Sequence, residues 1–232
     1  MTPAVDVVIP LLNARPYIRD AVDSALAQTG VDVRVIVVDA GSTDGGPAEV
    51  ASWGDPRVLV IPGSEVLMAG AARNRGVLHA TAEWLAFLDA DDLWPRDRTA
   101  QLMPAITEPS HQIAFGHHVT FPDGAAVDLA APVDPPGHPA APTAGTLLMS
   151  REVFARVGPF DAELRIGEFI DWIARLRSLG VAEVHVPVVS LLRRSHATNT
   201  SRARQGEYAA GYVDIVRQHL RRSREAGAVD IT

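Results

Sequence analysis

The chain has 232 residues, 47% hydrophobic and 21% charged, which is enough for one large globular domain with a real core. Its 28 acidic against 21 basic residues give a net charge of −7, a poor balance for a general nucleic-acid binder. Cysteine is absent and all 21 basic side chains are arginine. That excludes a thiolate nucleophile, Cys-ligated zinc or iron–sulfur clusters, a Schiff-base lysine and the P-loop lysine.

The first hundred residues alternate between short β-branched runs and helical spacing. Residues 5–10 (VDVVIP) predict a strand, and 14–28 a helix with Ile18, Ala21, Val22 and Ala25 on one face. Residues 33–38 (VRVIVV) predict a second strand, followed by a short helix through Ala51 capped by Ser42 or Thr43. A strand at 57–61, a helix at 69–80 and a strand at 84–88 (WLAFL) complete the series. Such alternation implies βαβ units, an α/β fold and a mainly parallel sheet flanked by helices, with ligands at the carboxyl edge of the strands.

After Met103 the pattern changes. Residues 113–121 read as a strand, and 122–142, with six prolines, as a long loop or flap. A strand at 143–149, helices at 151–157 and 169–179 and a strand at 184–192 follow. A last amphipathic helix is predicted over 205–224, with Tyr208, Tyr212, Ile215, Val216, His219 and Leu220 on one face. The division read from this is one domain over 1–200, in halves 1–103 and 104–200, followed by a C-terminal helix and tail over 201–232. No run approaches the ~18–20 apolar residues of a membrane helix. The N-terminus lacks a basic segment ahead of an apolar one. The expectation is a cytoplasmic protein with no transmembrane segment.

Three segments carry chemistry. In 84–94 (WLAFLDADDLW) an apolar strand runs into Asp89, Asp91 and Asp92. Three carboxylates at a strand end repel one another and are costly to desolvate, and a hard divalent cation such as Mg²⁺ or Mn²⁺ relieves both penalties. The alternative is that these aspartates cap a helix at 95–102. In 37–46 (VVDAGSTDGG) a second strand ends on a carboxylate, Asp39, followed by donors at a helix start. In 69–76 (AGAARNRG), Arg73 and Arg75 read either as phosphate neutralisers or as solvated helix residues, and Asn74 as an orderer of the loop. Trp94 and Trp172 read as core or stacking residues, and His117-His118 as a strand pair with no chemical role.

Taken in order, VDVVIPLLN, VIVVDAGSTDG, AGAARNRG, AEWLAFLDADDLW, Gly145–Ser150, VGPFD161, Gly167-Glu168 and Arg194-Ser-His196 resemble the family 2 glycosyltransferases of the GT-A fold. The resemblance covers about residues 4–200. It implies a nucleotide-diphospho-sugar donor whose base and ribose lie against Pro10, Leu11, Asn13 and Asp39, with Arg73 near the nucleotide. It implies that Asp89, Ala90 and Asp91 match the Asp-x-Asp element at a metal-bridged diphosphate, with Asp92 as an added ligand or orienter. His196 matches a late metal-ligating histidine of some members. It also implies an inverting transfer to an acceptor hydroxyl. The acceptor itself, whether glycan, lipid, peptide or small molecule, and the oligomeric state are left open.

One position departs from the family. The usual Glu-Asp-x-Asp element reads Glu168-Phe-Ile-Asp171, so phenylalanine stands where the acceptor-deprotonating aspartate is expected. The catalytic candidates are therefore Glu168, at the helix start, and Asp171, which has Arg175 at i+4 as a salt-bridge partner. A scaffold or partner subunit that binds nucleotide sugars without catalysis is the competing expectation. Dehalogenase-like phosphatases and nucleotidyltransferases fit less well without lysine, and no G-x-G-x-x-G follows the first strand.

Overall fold

A computed structural model of the chain describes residues 2–107, 112–135, 137 and 142–197. In chain order the elements are β1 (Ala4–Leu11), α1 (Arg15–Leu26), β2 (Asp32–Asp39), α2 (Gly46–Ser52), β3 (Val58–Ile61), α3 (Ala69–Val77) and β4 (Trp84–Phe87). They continue with α4 (Arg98–Ile106), β5 (Ile113–Pro122), β6 (Leu147–Ser150), α5 (Arg151–Val157), α6 (Glu168–Ser178) and β7 (Glu183–Ser195). The helix expected over 205–224 lies outside the described residues.

The strands form one sheet in the order β3-β2-β1-β4-β6-β5-β7. β1 pairs in parallel with β2 and β4, β2 with β3, and β5 with β7, while β6 runs antiparallel to both neighbours. Central parallel strands are covered on both faces, which is why β1 from Val7 and β2 from Val35 to Val38 read as apolar runs. Alternate residues separate cleanly. Val8, Ile36, Val38, Leu85 and Phe87 pack with α3, α5 and α6 residues such as Ala72, Phe154 and Trp172. Val7, Ile9, Val35, Val37 and Ala86 pack with Ile18 and Val22 of α1 and Leu102 of α4. Close approach of α3 to β1 depends on Gly76, where a Cβ would lie 2.3 Å from Val8 Cγ1.

This topology fixes where a ligand can sit. β1 lies between β2 and β4, reached by helices on opposite faces, so the chain order switches there. In open α/β sheets that switch leaves a crevice outside the carboxyl ends of the strands. Leu11 and Asp39 are register partners at that edge, and β4 delivers Asp89 two residues past its end.

Two local expectations change. α2 begins at Gly45–Gly46 with no side-chain cap, because Ser42 and Thr43 bond instead to the loop after β1. The 143–149 segment opens with a 3₁₀ turn at Ala144–Thr146, closed by reciprocal Thr143–Thr146 bonds, so β6 is only four residues long. No helix among the described residues is long and apolar enough to cross a membrane.

Candidate active site

The loops after β1 and β2 are fastened to each other. Asn13, with φ +51°, receives the Thr43 N–H on Oδ1 at 2.8 Å and donates its own N–H to Ser42 Oγ at 3.1 Å. Ser42 Oγ donates to the Leu11 carbonyl. Asp39 is nearly buried; Oδ1 accepts the N–H groups of Gly41 and Ser42 at 3.0 and 2.7 Å, and Oδ2 accepts that of Gly63 at 3.3 Å. Gly63 is required there, since a Cβ would lie 2.3 Å from the Asp39 carbonyl oxygen. The Leu11 side chain is in the core, so its carbonyl is what reaches this edge, whereas Leu12 is the exposed apolar side chain beside it. Pro10 is a β1 residue in register with Val38.

The β4 end is organised around Arg73. Its guanidinium is buried and donates to Asp89 Oδ1 and to Glu168 Oε1, both at 2.7 Å. The reading of Arg73 as a solvated helix residue is thereby replaced: α3 turns it inward to join β4 and α6. Burial alone would lower its pKa, but Asp89 and Glu168 outweigh burial and hold it above the ordinary value. Asn74 orders the neighbouring loop through reciprocal 2.8 Å bonds with the Phe160 backbone. Arg75 reaches the Pro62 carbonyl instead.

Past β4, Asp91 Oδ2 faces His196 Nε2 at 2.8 Å, bringing together two residues 105 positions apart. Asp92 has a different partner: its buried carboxylate accepts the Arg194 backbone N–H at 2.8 Å. Burial first, then the charges of Asp89 and Asp91, push Asp92 up to about 8. Ala90 buries its methyl in the apolar layer below. α4 starts only at Arg98, so none of the three aspartates caps it.

Glu168 opens α6, and its first-turn position suits a carboxylate. Asp171 is buried and bonded to Arg175 Nε at 3.0 Å, while Arg175 also donates to the carbonyls of Val157 and Pro159. Phe169 is packed with Phe115 and Trp172 in the core. Trp94 and Trp172 are fully buried and donate to the Gly145 and Gly158 carbonyls, which makes them core residues.

The donor types suit a hard divalent cation. Asp91 and His196 converge on one point, and the crowded Asp89–Asp91–Asp92 charges favour a cation nearby. Among the described residues no cluster of three or more His, Asp or Glu side chains forms a full cage. Two protein donors are a fitting set where a substrate diphosphate completes the shell, as Mg²⁺ commonly requires.

Residues 6–130 match the family model described as Glycosyl transferase family 2. The chain belongs to that family. Among curated proteins it is 41% identical over 112 residues to the succinoglycan biosynthesis protein ExoO of Rhizobium meliloti, covering 48% of this chain and 32% of ExoO. It is 33% identical over 119 residues to glycosyltransferase GlyA of Streptococcus pneumoniae, covering 50% of this chain and 17% of GlyA. The chain thus spans a third or less of each of these two family members. Among solved structures, the mannosyltransferase PcManGT of Pyrobaculum calidifontis, in complex with GDP-Man and Mn²⁺, superposes with a TM-score of 0.72 at 23% identity. That superposition covers 97% of this chain and 65% of PcManGT. The α/β fold expected from the resemblance, GT-A with a mainly parallel sheet flanked by helices, is the fold observed.

Tyr17, Asp123 and Arg194 also border the Asp91–His196 pair; Arg194 belongs to the Arg194-Ser-His196 motif, whereas Tyr17 and Asp123 carry no local sequence signal. They come from α1, the loop after β5 and β7, and only the topology brings them to one edge.

Proposed function

We infer that this chain transfers a sugar from a nucleotide-diphosphate donor to an acceptor hydroxyl, with inversion at the anomeric carbon and with Mg²⁺ or Mn²⁺. The observation that carries the reading is that buried Arg73 ties Asp89, just past β4, to Glu168 at the start of α6 in a family 2 chain. Pro10, the Leu11 carbonyl, Asn13 and Asp39 face the base and ribose. Arg73 holds Asp89 beside the diphosphate, in the Asp89-Ala90-Asp91 element. Asp91 and His196 hold the cation, and Asp92 orients the turn through the Arg194 N–H. A cation held there would supply charge neutralisation for the departing diphosphate, in a chain that has no lysine to do so.

Glu168 is the base in this reading. Its Oε1 is taken by Arg73, and no donor among the described residues takes Oε2, which is left to receive the acceptor proton. Asp171, tied into its bond with Arg175, supports the helix that presents Glu168.

A second reading, a nucleotide-sugar-binding scaffold without catalysis, draws on Phe169 at the position of the missing aspartate. Release of nucleoside diphosphate from a panel of nucleotide sugars, with and without Mn²⁺, separates the two. Metal-dependent release that Asp91→Asn abolishes supports the transferase. Binding without release in the presence of candidate acceptors supports the scaffold.

A further inference from the structure

Tyr17 stands in the first turn of α1, outside the residues assigned above. Its ring stacks on the His196 imidazole, with centroids 4.7 Å apart and planes inclined by 27°. Its hydroxyl donates to Asp123 Oδ2 at 3.1 Å. Arg194 brackets the same group: its guanidinium carbon is 5.1 Å from the Tyr17 ring centre and 5.0 Å from that of Phe121. The Arg194 side chain also pairs with Asp20 at 3.0 Å and Asp123 at 3.4 Å, and its Nε donates to the Asp91 carbonyl at 3.1 Å.

The Nε2–Asp91 bond fixes one atom of the imidazole. The Tyr17 ring, stacked alongside, constrains the plane in which the imidazole lies. We propose that Tyr17 is a positioning residue that sets the plane of the His196 ring, and that Asp123, at the start of the proline-rich segment, holds Tyr17 in place through its hydroxyl. The plane of a ligating imidazole matters because the lone pair on nitrogen lies in it. Groups that orient a ligating histidine are worth about 10–100-fold in metal affinity. Burial first, then Asp123, raise the Tyr17 phenol above its ordinary value, so it stays a hydrogen-bond donor at neutral pH. The same contacts join the proline-rich segment to the β4 turn. Asp123 precedes Val127, Leu129 and Val133, which pack on Leu93, Val189 and Leu192, and the Arg96 N–H donates to the Leu129 carbonyl at 2.8 Å.

The metal consequence rests on the reading of Asp91 and His196 as cation ligands, whereas the ring orientation does not. The test therefore uses two measurements on the full chain: NMR of the His196 ring protons without metal, and Mn²⁺ affinity by electron paramagnetic resonance. Tyr17→Leu is expected to move the His196 resonances downfield as the ring current is lost, and to weaken Mn²⁺ binding about 10–100-fold. Tyr17→Phe keeps the ring but loses the bond to Asp123, so both readings should lie between wild type and Tyr17→Leu, matching Asp123→Ala. Asp123→Ala, at an exposed position, should move the His196 resonances in the same direction, and it carries the test if Tyr17→Leu fails to fold. Unmoved His196 resonances in folded Tyr17→Leu, or in Asp123→Ala, overturn the positioning role. If wild type binds Mn²⁺ no better than Asp91→Asn, the metal reading falls and the resonances alone decide the role of Tyr17.

Discussion

Arg73 and Glu168, 95 positions apart, are joined by a 2.7 Å hydrogen bond from Nη1 to Oε1. The other arm of the same guanidinium holds Asp89. One buried arginine thus sets the distance between the diphosphate end of the proposed site and its proposed base. A positioned base contributes about 10²–10⁴-fold in rate. Glu168→Gln keeps an oxygen for Arg73 but cannot take a proton, so kcat should fall by that factor with donor affinity nearly unchanged. Full turnover in Glu168→Gln would move the base elsewhere.

The fold was legible because parallel strands covered on both faces leave apolar runs, as Val7–Leu11 of β1, Val35–Val38 of β2 and all of β4 do. The carboxylates ending β2 and β4 were legible for the same reason, since a charge directly after a buried strand stands out. Partnerships were not. Nothing near Arg73 in sequence announces Glu168, and nothing near Tyr17 announces Asp123 or His196, because these pairs exist only through the order of strands in the sheet. The Ser42 and Thr43 cap failed on a local rivalry, as Asn13 in the facing loop competes for the same groups.

Asp171 separates structure from catalysis. Its side chain is 2% exposed and bonded to Arg175, which also braces the Val157 and Pro159 carbonyls. The i+4 salt bridge expected from sequence forms, and its carboxylate is buried. Asp171→Asn should therefore cost about 1–3 kcal/mol, the range for a buried group losing its charged partner. Arg177–Glu183, with Arg177 54% exposed, is the contrast: its removal should cost about 0–1 kcal/mol. Urea midpoints for the two variants test the difference. Equal midpoints would mean that the Asp171 pair adds nothing beyond a surface contact.

Asp39 faces the edge with Oδ1 committed to Gly41 and Ser42 and Oδ2 to a longer contact with Gly63. That leaves acceptor capacity on Oδ2 for a base or ribose donor. Asp39→Ala should weaken nucleotide binding by about 1–3 kcal/mol in calorimetry with UDP or GDP. Asp39→Asn preserves the turn through its amide oxygen but puts an N–H donor in place of Oδ2, so it removes the acceptor while leaving the Gly41 and Ser42 bonds. An unchanged affinity in Asp39→Ala would shift the base and ribose pocket away from the β1 and β2 ends.

Asp92 gives the protein a pH dependence of predictable sign. Buried beside Asp89 and Asp91, it titrates at about 8 in the fold and near its ordinary 3.8 in the unfolded chain. The unfolded state therefore releases the proton first. Between about pH 4 and pH 8 the native state binds more protons than the unfolded one, so stability declines as pH rises through that window. Asp92→Asn keeps an oxygen to accept the Arg194 N–H but carries no charge, so its melting temperature should fall less than that of wild type between pH 5 and 8. A cation on Asp91 and His196 would favour the ionised Asp92, so Mn²⁺ should flatten the wild-type decline while leaving Asp92→Asn little changed. Parallel wild-type and Asp92→Asn profiles across that range, with or without Mn²⁺, would mean that Asp92 is ionised in the folded protein and that its burial is compensated by groups other than the Arg194 amide.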